Sequence, residues 1–156
     1  MPKALKTNAK GSNFQPIQKK YHHLVIGIDP DVAKSGVSLW NRYTKSLELG
    51  EKSLWELFEY LKSMADKATI RLEAGHMDKS TWHRGGNAMA KRVGANHEIG
   101  RQIEKFCIEN SINVELVKPA GYSSFTHERF CKVTGWNEKI KTNPEKRVAG
   151  LLVYGV

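Results

Sequence analysis

The clearest apolar run in the chain is Leu24-Val25-Ile26-Gly27-Ile28, which ends on Asp29-Pro30. A short, β-branched, uninterrupted run reads as a buried strand. Proline cannot donate to a sheet ladder, so regular pairing stops at Pro30 and leaves Asp29 at the carboxyl end of the strand. After a polar turn ending in Gly36, Val37-Ser38-Leu39-Trp40-Asn41 alternates and predicts a second strand, antiparallel to the first. Ser46–Gly50 predicts a short third strand that completes a meander. Ser53 and Glu56 then form a capping-box pattern, and Leu54, Leu57, Phe58, Leu61, Met64 and Ala65 recur at helical spacing.

Thr69–Gly75 predicts a fourth strand, with Glu73 near its end as Asp29 is near the end of the first. A strand reached through a helix usually runs parallel, by a right-handed crossover. If the two strands are neighbours, both carboxylates reach one sheet edge. A second helix is expected over Ala95–Asn110, with Ile99, Ile103, Phe106 and Cys107 on one face. Gly100 inside it costs about 1 kcal/mol against Ala and permits close packing. Asn113–Pro119 predicts a fifth strand, and residues 76–94 and 120–142 read as loops. Asn143-Pro144 is a good helix start, an N-cap followed by proline at the first helical position. In that last helix Glu145, Val148, Ala149 and Leu152 share a face, which turns Glu145 inward. The order β-β-β-α-β-α-β-α predicts an α/β fold in one domain, residues 21–156, behind a basic arm of residues 1–20.

Charge changes the picture next. The chain has 156 residues, with 25 Lys and Arg against 16 Asp and Glu, a net charge of +9. Lys3, Lys6, Lys10, Lys19 and Lys20 lie in the first 23 residues without an acid. The arm is either an untidy terminus or an electrostatic tether to phosphates. A basic body behind a basic arm points to a polyanion, nucleic acid first, although basic surfaces also serve solubility alone. Cys107 and Cys131 are in no C-x-x-C pair and read as reduced thiols. No secretory signal or membrane-spanning run is present, so a cytoplasmic protein is expected.

Three carboxylates stand out. Asp29 either caps the Asp-Pro turn or serves a site, because an ionised Asp at the end of a buried strand needs a partner or a metal. Glu145 either complements the helix dipole or joins it. Between residues 76 and 94, Trp82 lies among Lys79, Arg84, Lys91 and Arg92. That is the composition of a surface that stacks on unpaired bases, or of a loop with its Trp folded back as a plug. The six histidines have no zinc spacing.

Taken in order, several pieces resemble the RNase H-like superfamily, and within it the RuvC-like Holliday junction resolvases. They are Ile26-Gly27-Ile28-Asp29-Pro30 with Ser35-Gly36, Arg71-Leu72-Glu73, Val114–Pro119, Lys132-Val133-Thr134-Gly135 and the helix from Asn143. The resemblance covers residues 23–156 and implies a five-stranded mixed sheet flanked by helices. It implies a site of carboxylates around two Mg2+ ions, with Mn2+ as a substitute. Asp29 takes the place of the acid ending strand one, Glu73 that of the acid ending strand four, and Glu145 the first of a helical pair. The second of that pair falls on Val148, which cannot ligate a metal.

The resemblance further implies a homodimer matched to the two-fold symmetry of a four-way DNA junction. Trp82 would wedge into the junction, and Lys79, Arg84, Lys91, Arg92, Lys118 and Lys132 would line phosphates. The expected activity is Mg2+-dependent endonucleolytic cleavage of branched DNA, in recombination and repair, in a bacterial or phage-type setting. Two alternatives stand beside it: a branched-DNA-binding relative without catalysis, for which Val148 argues, and a fragment of an actin-like phosphotransferase. The last branch needs a second domain to close over ATP, which this length does not supply.

Overall fold

The computed structural model describes residues 21–77 and 86–156. The basic arm of residues 1–20 and the positions of Lys79, Trp82 and Arg84 lie outside the described residues. Five strands, β1 (Leu24–Asp29), β2 (Ser35–Asn41), β3 (Ser46–Lys52), β4 (Ala68–Glu73) and β5 (Val114–Val117), form one sheet in the order β3-β2-β1-β4-β5. The meander is antiparallel, whereas β4 and β5 run parallel to β1. Among the described residues four α-helices accompany it: α1 (Leu54–Met64), α2 (Asn87–Glu109), α3 (His127–Thr134) and α4 (Pro144–Val153).

The helix starts follow from their caps. Ser53 Oγ accepts from the Glu56 amide, and Asn143 Oδ1 accepts from the Lys146 amide with Pro144 at the first position. Each cap satisfies a donor that the helix leaves unpaired.

Strand alternation then sorts side chains into two layers. On one face Ile26, Ile28, Val37, Ile70 and Leu72 pack against α1 and α2 through residues such as Leu57, Leu61, Ile103 and Cys107. On the other face Val25 and Trp40 pack against Val148, Leu152 and Val153 of α4. Asp29 is in phase with Val25 and Gly27, so β1 presents it on the face that α4 covers.

Helix α4 approaches the sheet main chain to main chain, because small residues let it. A Cβ at Gly27 would strike the Ala149 carbonyl, and one at Gly36 would strike the backbone of Glu145 and Lys146. Ser38 Oγ fills the remaining space, accepting from the Gly27 amide (3.2 Å) and donating to the Ala149 carbonyl (2.6 Å). Arg71 Nη1 donates to the Leu152 carbonyl at 2.5 Å, near the far end of the helix.

Two expected loops are helical in part among the described residues. Helix α2 starts at Asn87 rather than Ala95, so Lys91 and Arg92 are on its exposed first turns. Ala88-Met89-Ala90-Lys91-Arg92 are strong helix formers, and the isolated Gly94 costs too little to break the run. Residues 127–134 form α3, with Thr126 Oγ1 capping the Arg129 amide and Gly135 closing the helix at φ 74°. Only Phe130 and Cys131 of α3 are buried, and at eight residues of largely polar composition the helix is too short for its apolar side to stand out in sequence. Cys107 and Cys131 are free thiols, both buried. Among the described residues no helix is long and apolar enough to cross a membrane.

Candidate functional site

Residues Ile28 and Leu72 are register partners in the parallel pair β1–β4. The next residue on each strand is an acid, so Asp29 and Glu73 leave the same sheet edge side by side. Across the hairpin, Asp29 pairs with Gly36, against which the first turn of α4 rests. That contact brings Glu145 to the same corner. The fields of Glu73, Glu145 and Asp31 all reach Asp29.

Asp29 and Glu73 share a poorly hydrated place. Burial, followed by repulsion from Glu73, Glu145 and Asp31, pushes the Asp29 carboxyl up to about 8. Burial pushes Glu73 up to about 7. Among the described residues, no Lys or Arg pairs with Asp29, Glu73 or Glu145. Two half-buried carboxyls with raised pKa values and no cationic side chain are a recurrent mark of functional sites. The side chains as they stand are open rather than clenched: no three His, Cys, Asp or Glu donors among the described residues form a ready metal cage.

A cavity of about 270 Å³ opens beside the pair, and α2 forms its other wall. Val93, Asn96, His97 and Gly100 line it along one helical stripe, opposite Asp29, Glu73 and Pro119. Asn96 latches the β1–β2 turn to α2. Its Oδ1 accepts from the Val32 amide (3.0 Å) and its Nδ2 donates to Asp31 Oδ1 (3.2 Å). Beneath, buried His76 is 2.7 Å from Glu104 through Nε2, and Gly100 gives its ring room. Neither the latch nor this pair was expected from sequence. The available signal was a polar Asn-His step on the inward stripe of a helix. A larger concavity, about 730 Å³, lies at the β5 edge around Ile108, Ile112 and Leu116. It contains none of the three candidate acids, so the chemistry is sought at the smaller one.

The structure thus brings Asp29, Glu73 and Glu145 to one corner. Lys118 follows β5 at the same edge, exposed, one residue before cavity-lining Pro119. Lys91 and Arg92 are exposed on α2 next to cavity-lining Val93. Lys132 is on α3, paired with Glu128 at 3.0 Å. Val148 is 2% exposed and packs with Val25, Trp40, Leu152 and Val153. A carboxylate there would be seated in an apolar layer.

The donor set fits a hard cation. Carboxylate oxygens suit Mg2+ or Mn2+, and a divalent ion would relieve the repulsion that raises Asp29. The linkage has a definite sign. Between about 4 and 8 the folded protein holds a proton on Asp29 that the unfolded chain has lost, so this group's stabilisation declines as pH rises. Glu73 acts in the same direction up to about 7. The melting temperature without divalent ions is therefore expected to fall from pH 5 to pH 8. Added Mn2+ is expected to raise it, more at pH 8 than at pH 5. A flat profile that Mn2+ leaves unmoved would contradict this picture of the corner.

The sequence matches no known protein-family profile and no curated protein. Among solved structures the fold is similar to that of T. thermophilus RuvC in complex with a Holliday junction substrate. The TM-score is 0.50 at 14% sequence identity, over 84% of this chain and 90% of that one. A likeness at this identity speaks for the fold, and the five-stranded mixed sheet with its flanking helices is an RNase H-like α/β fold.

Proposed function

We propose that the protein is a divalent-metal-dependent endonuclease that cleaves branched DNA, four-way junctions among its substrates, and acts as a homodimer. The observation that supports this most directly is the corner itself. Asp29 and Glu73 leave adjacent parallel strands, Glu145 joins them from α4, and burial raises the first two without a cationic partner. The neighbour in fold is a RuvC bound to a Holliday junction, which supplies the substrate class. The net charge of +9 suits a phosphate-rich partner.

In this reading Asp29, Glu73 and Glu145 hold Mg2+ or Mn2+. Such ions, when bound, would supply an activated water and stabilisation of the leaving oxygen of a phosphodiester. The chain's own residues do the rest. The paired strand ends fix Asp29 and Glu73 relative to each other, and the Gly36 contact sets how deeply Glu145 reaches. The Asn96 latch holds the turn after Asp29 against α2, so the mouth of the cavity keeps its shape. Lys118, Lys91 and Arg92 flank that mouth and neutralise the strand being presented. The same chemistry would assign phosphate or base contacts to Lys79, Trp82, Arg84 and Lys132.

A second reading has its own support. Val148 lies in the apolar layer where the resolvase pattern has an acid, and among the described residues the donors form no closed cage. Both favour a relative that binds branched DNA without cutting it. One titration separates the two. Labelled junction, fork and duplex DNA are incubated with the protein over rising Mg2+ or Mn2+. Nicks on opposed strands of the junction are expected. Tight binding with no nicking at saturating metal would favour the second reading, and failure to bind any branched DNA would remove both.

A further inference from the structure

Between α3 and α4 the chain forms a loop, residues 135–142, held more firmly than a connector requires. The Trp136 amide donates to Thr134 Oγ1 (3.2 Å), and its indole Nε1 donates to the Ile140 carbonyl (2.9 Å). The Lys139 amide donates to Asn137 Oδ1 (3.0 Å), and the Ile140 amide to the Asn137 carbonyl (2.9 Å). From α3, His127 Nε2 is 3.0 Å from the Glu138 carbonyl, and Nδ1 is 2.8 Å from Thr142 Oγ1. From α4, Arg147 donates to the Thr142 carbonyl (3.2 Å), Thr142 Oγ1 (3.1 Å) and the Phe125 carbonyl (2.8 Å). Trp136, half-buried and set edge-on to Phe130, is a strut within this network.

What the loop holds outward is positive charge. Lys139 and Lys141 are exposed, and Lys146 is half-buried in the first turn of α4. Among the described residues none of the three has an acidic partner. The Glu138 carboxylate lies toward α3, where its field reaches Lys132 and Cys131. Lys141 and Lys146 bracket Glu145 in sequence, at a helix start whose dipole also favours anions. A merely solvated basic face needs no such scaffold. Three cations carried on one short, braced segment have no acidic partner among the described residues, and an anion would neutralise them. Fixing them in advance removes the entropy of ordering a loop when the anion arrives.

We propose that loop 135–142 and the first turn of α4 form a pre-organised cationic platform, through Lys139, Lys141 and Lys146, for the DNA backbone phosphates that neighbour the cleaved one. The proposal rests on the nuclease reading and assigns part of its substrate surface. Binding then leans on a segment that adjoins Glu145, so the same contact that holds the strand also registers it against the acids.

The test is binding of a labelled four-way junction in EDTA, followed by anisotropy across a salt series. Wild type is compared with Lys139→Gln/Lys141→Gln and with Lys105→Gln, a cation on α2 that is 3.8 Å from Glu109. Each lost phosphate contact removes about 0.9 from the slope of log affinity against log salt. The double variant is expected to lose about two units of slope and on the order of tenfold in affinity. Lys105→Gln should match wild type. Both altered lysines are exposed, so an unchanged melting curve is expected and confirms that the fold is intact. Trp136→Phe gives a second measure, since it removes the indole hydrogen bond and keeps the charges. It should weaken binding with the slope preserved. Wild-type slope and affinity in the double variant would overturn the platform and leave the nuclease reading standing. A wild type that binds no junction even at low salt would overturn both.

Discussion

Asp29→Asn is expected to abolish Mg2+-dependent nicking of a four-way junction while leaving junction binding in place, and Glu73→Gln should do the same. Asn keeps the shape of Asp but cannot ionise and is a poor ligand for a hard cation. Losing a stabiliser of developing charge in a sheltered site costs on the order of a thousandfold in rate, and these positions should show at least that. Binding depends on cations spread over the surface, so it should survive. A stability measurement cross-checks the assignment. Wild-type Asp29, pushed up to about 8, is costly to ionise in the fold. The metal-free Asn variant should therefore melt above wild type at pH 8 and gain little from Mn2+. Cleavage that persists in both variants would take these acids out of the mechanism. A variant that melts below wild type at pH 8 would instead mark Asp29 as a structural cap.

The second large effect comes from a residue with no side chain. Gly36→Ala places a methyl group on the backbone of Glu145 and Lys146, where neither partner has a flexible end that can yield. The first turn of α4 must lift from the sheet. Overpacking of this kind costs typically about 1–3 kcal/mol, read as a lower denaturation midpoint. The displacement also carries Glu145 away from Asp29 and Glu73. Misplacing a reacting group by about 1 Å can cost around a hundredfold, so cleavage should fall by more than the lost stability explains. Gly50→Ala is the control, because nothing lies within 4 Å of a Cβ there. Equal behaviour of the two alanine variants would mean that the depth of α4 does not set the site.

Much of this frame was legible because it depends on local rules. An uninterrupted apolar run marked β1 and alternation marked β2 and β5, and the Ser53 and Asn143 caps marked two helix starts within a residue or so. Pro30 set the end of β1, and a helical crossover made β4 parallel, which is why Asp29 and Glu73 were expected at one edge. The rest required contacts between residues distant in the chain. Nothing near Gly36 in sequence announces that Glu145 will rest on it. Asn96 became visible as a latch only once α2 had crossed the cavity to Asp31. The first turns of α2 were hidden by Gly94, whose breaking tendency was outweighed by the Ala, Met, Lys and Arg before it. Helix α3 was hidden by its polarity. Val148 stood out in sequence only as an apolar residue on the face it shares with Glu145, and its place in the α4 layer needed coordinates.

The close seating of α4 on Gly27 and Gly36 also bears on how the molecule acquires competence. Glu145 belongs to the last of the described elements to be synthesised, and it reaches its neighbours only when that helix docks on a finished sheet. A partly folded chain can display Asp29 or Glu73, but not all three acids at a common spacing. Cation capture would then be a property of the native state alone. On the proposed reading such selective binding would deepen the native well as the ion concentration rises, and a misassembled copy would hold no ion at this corner.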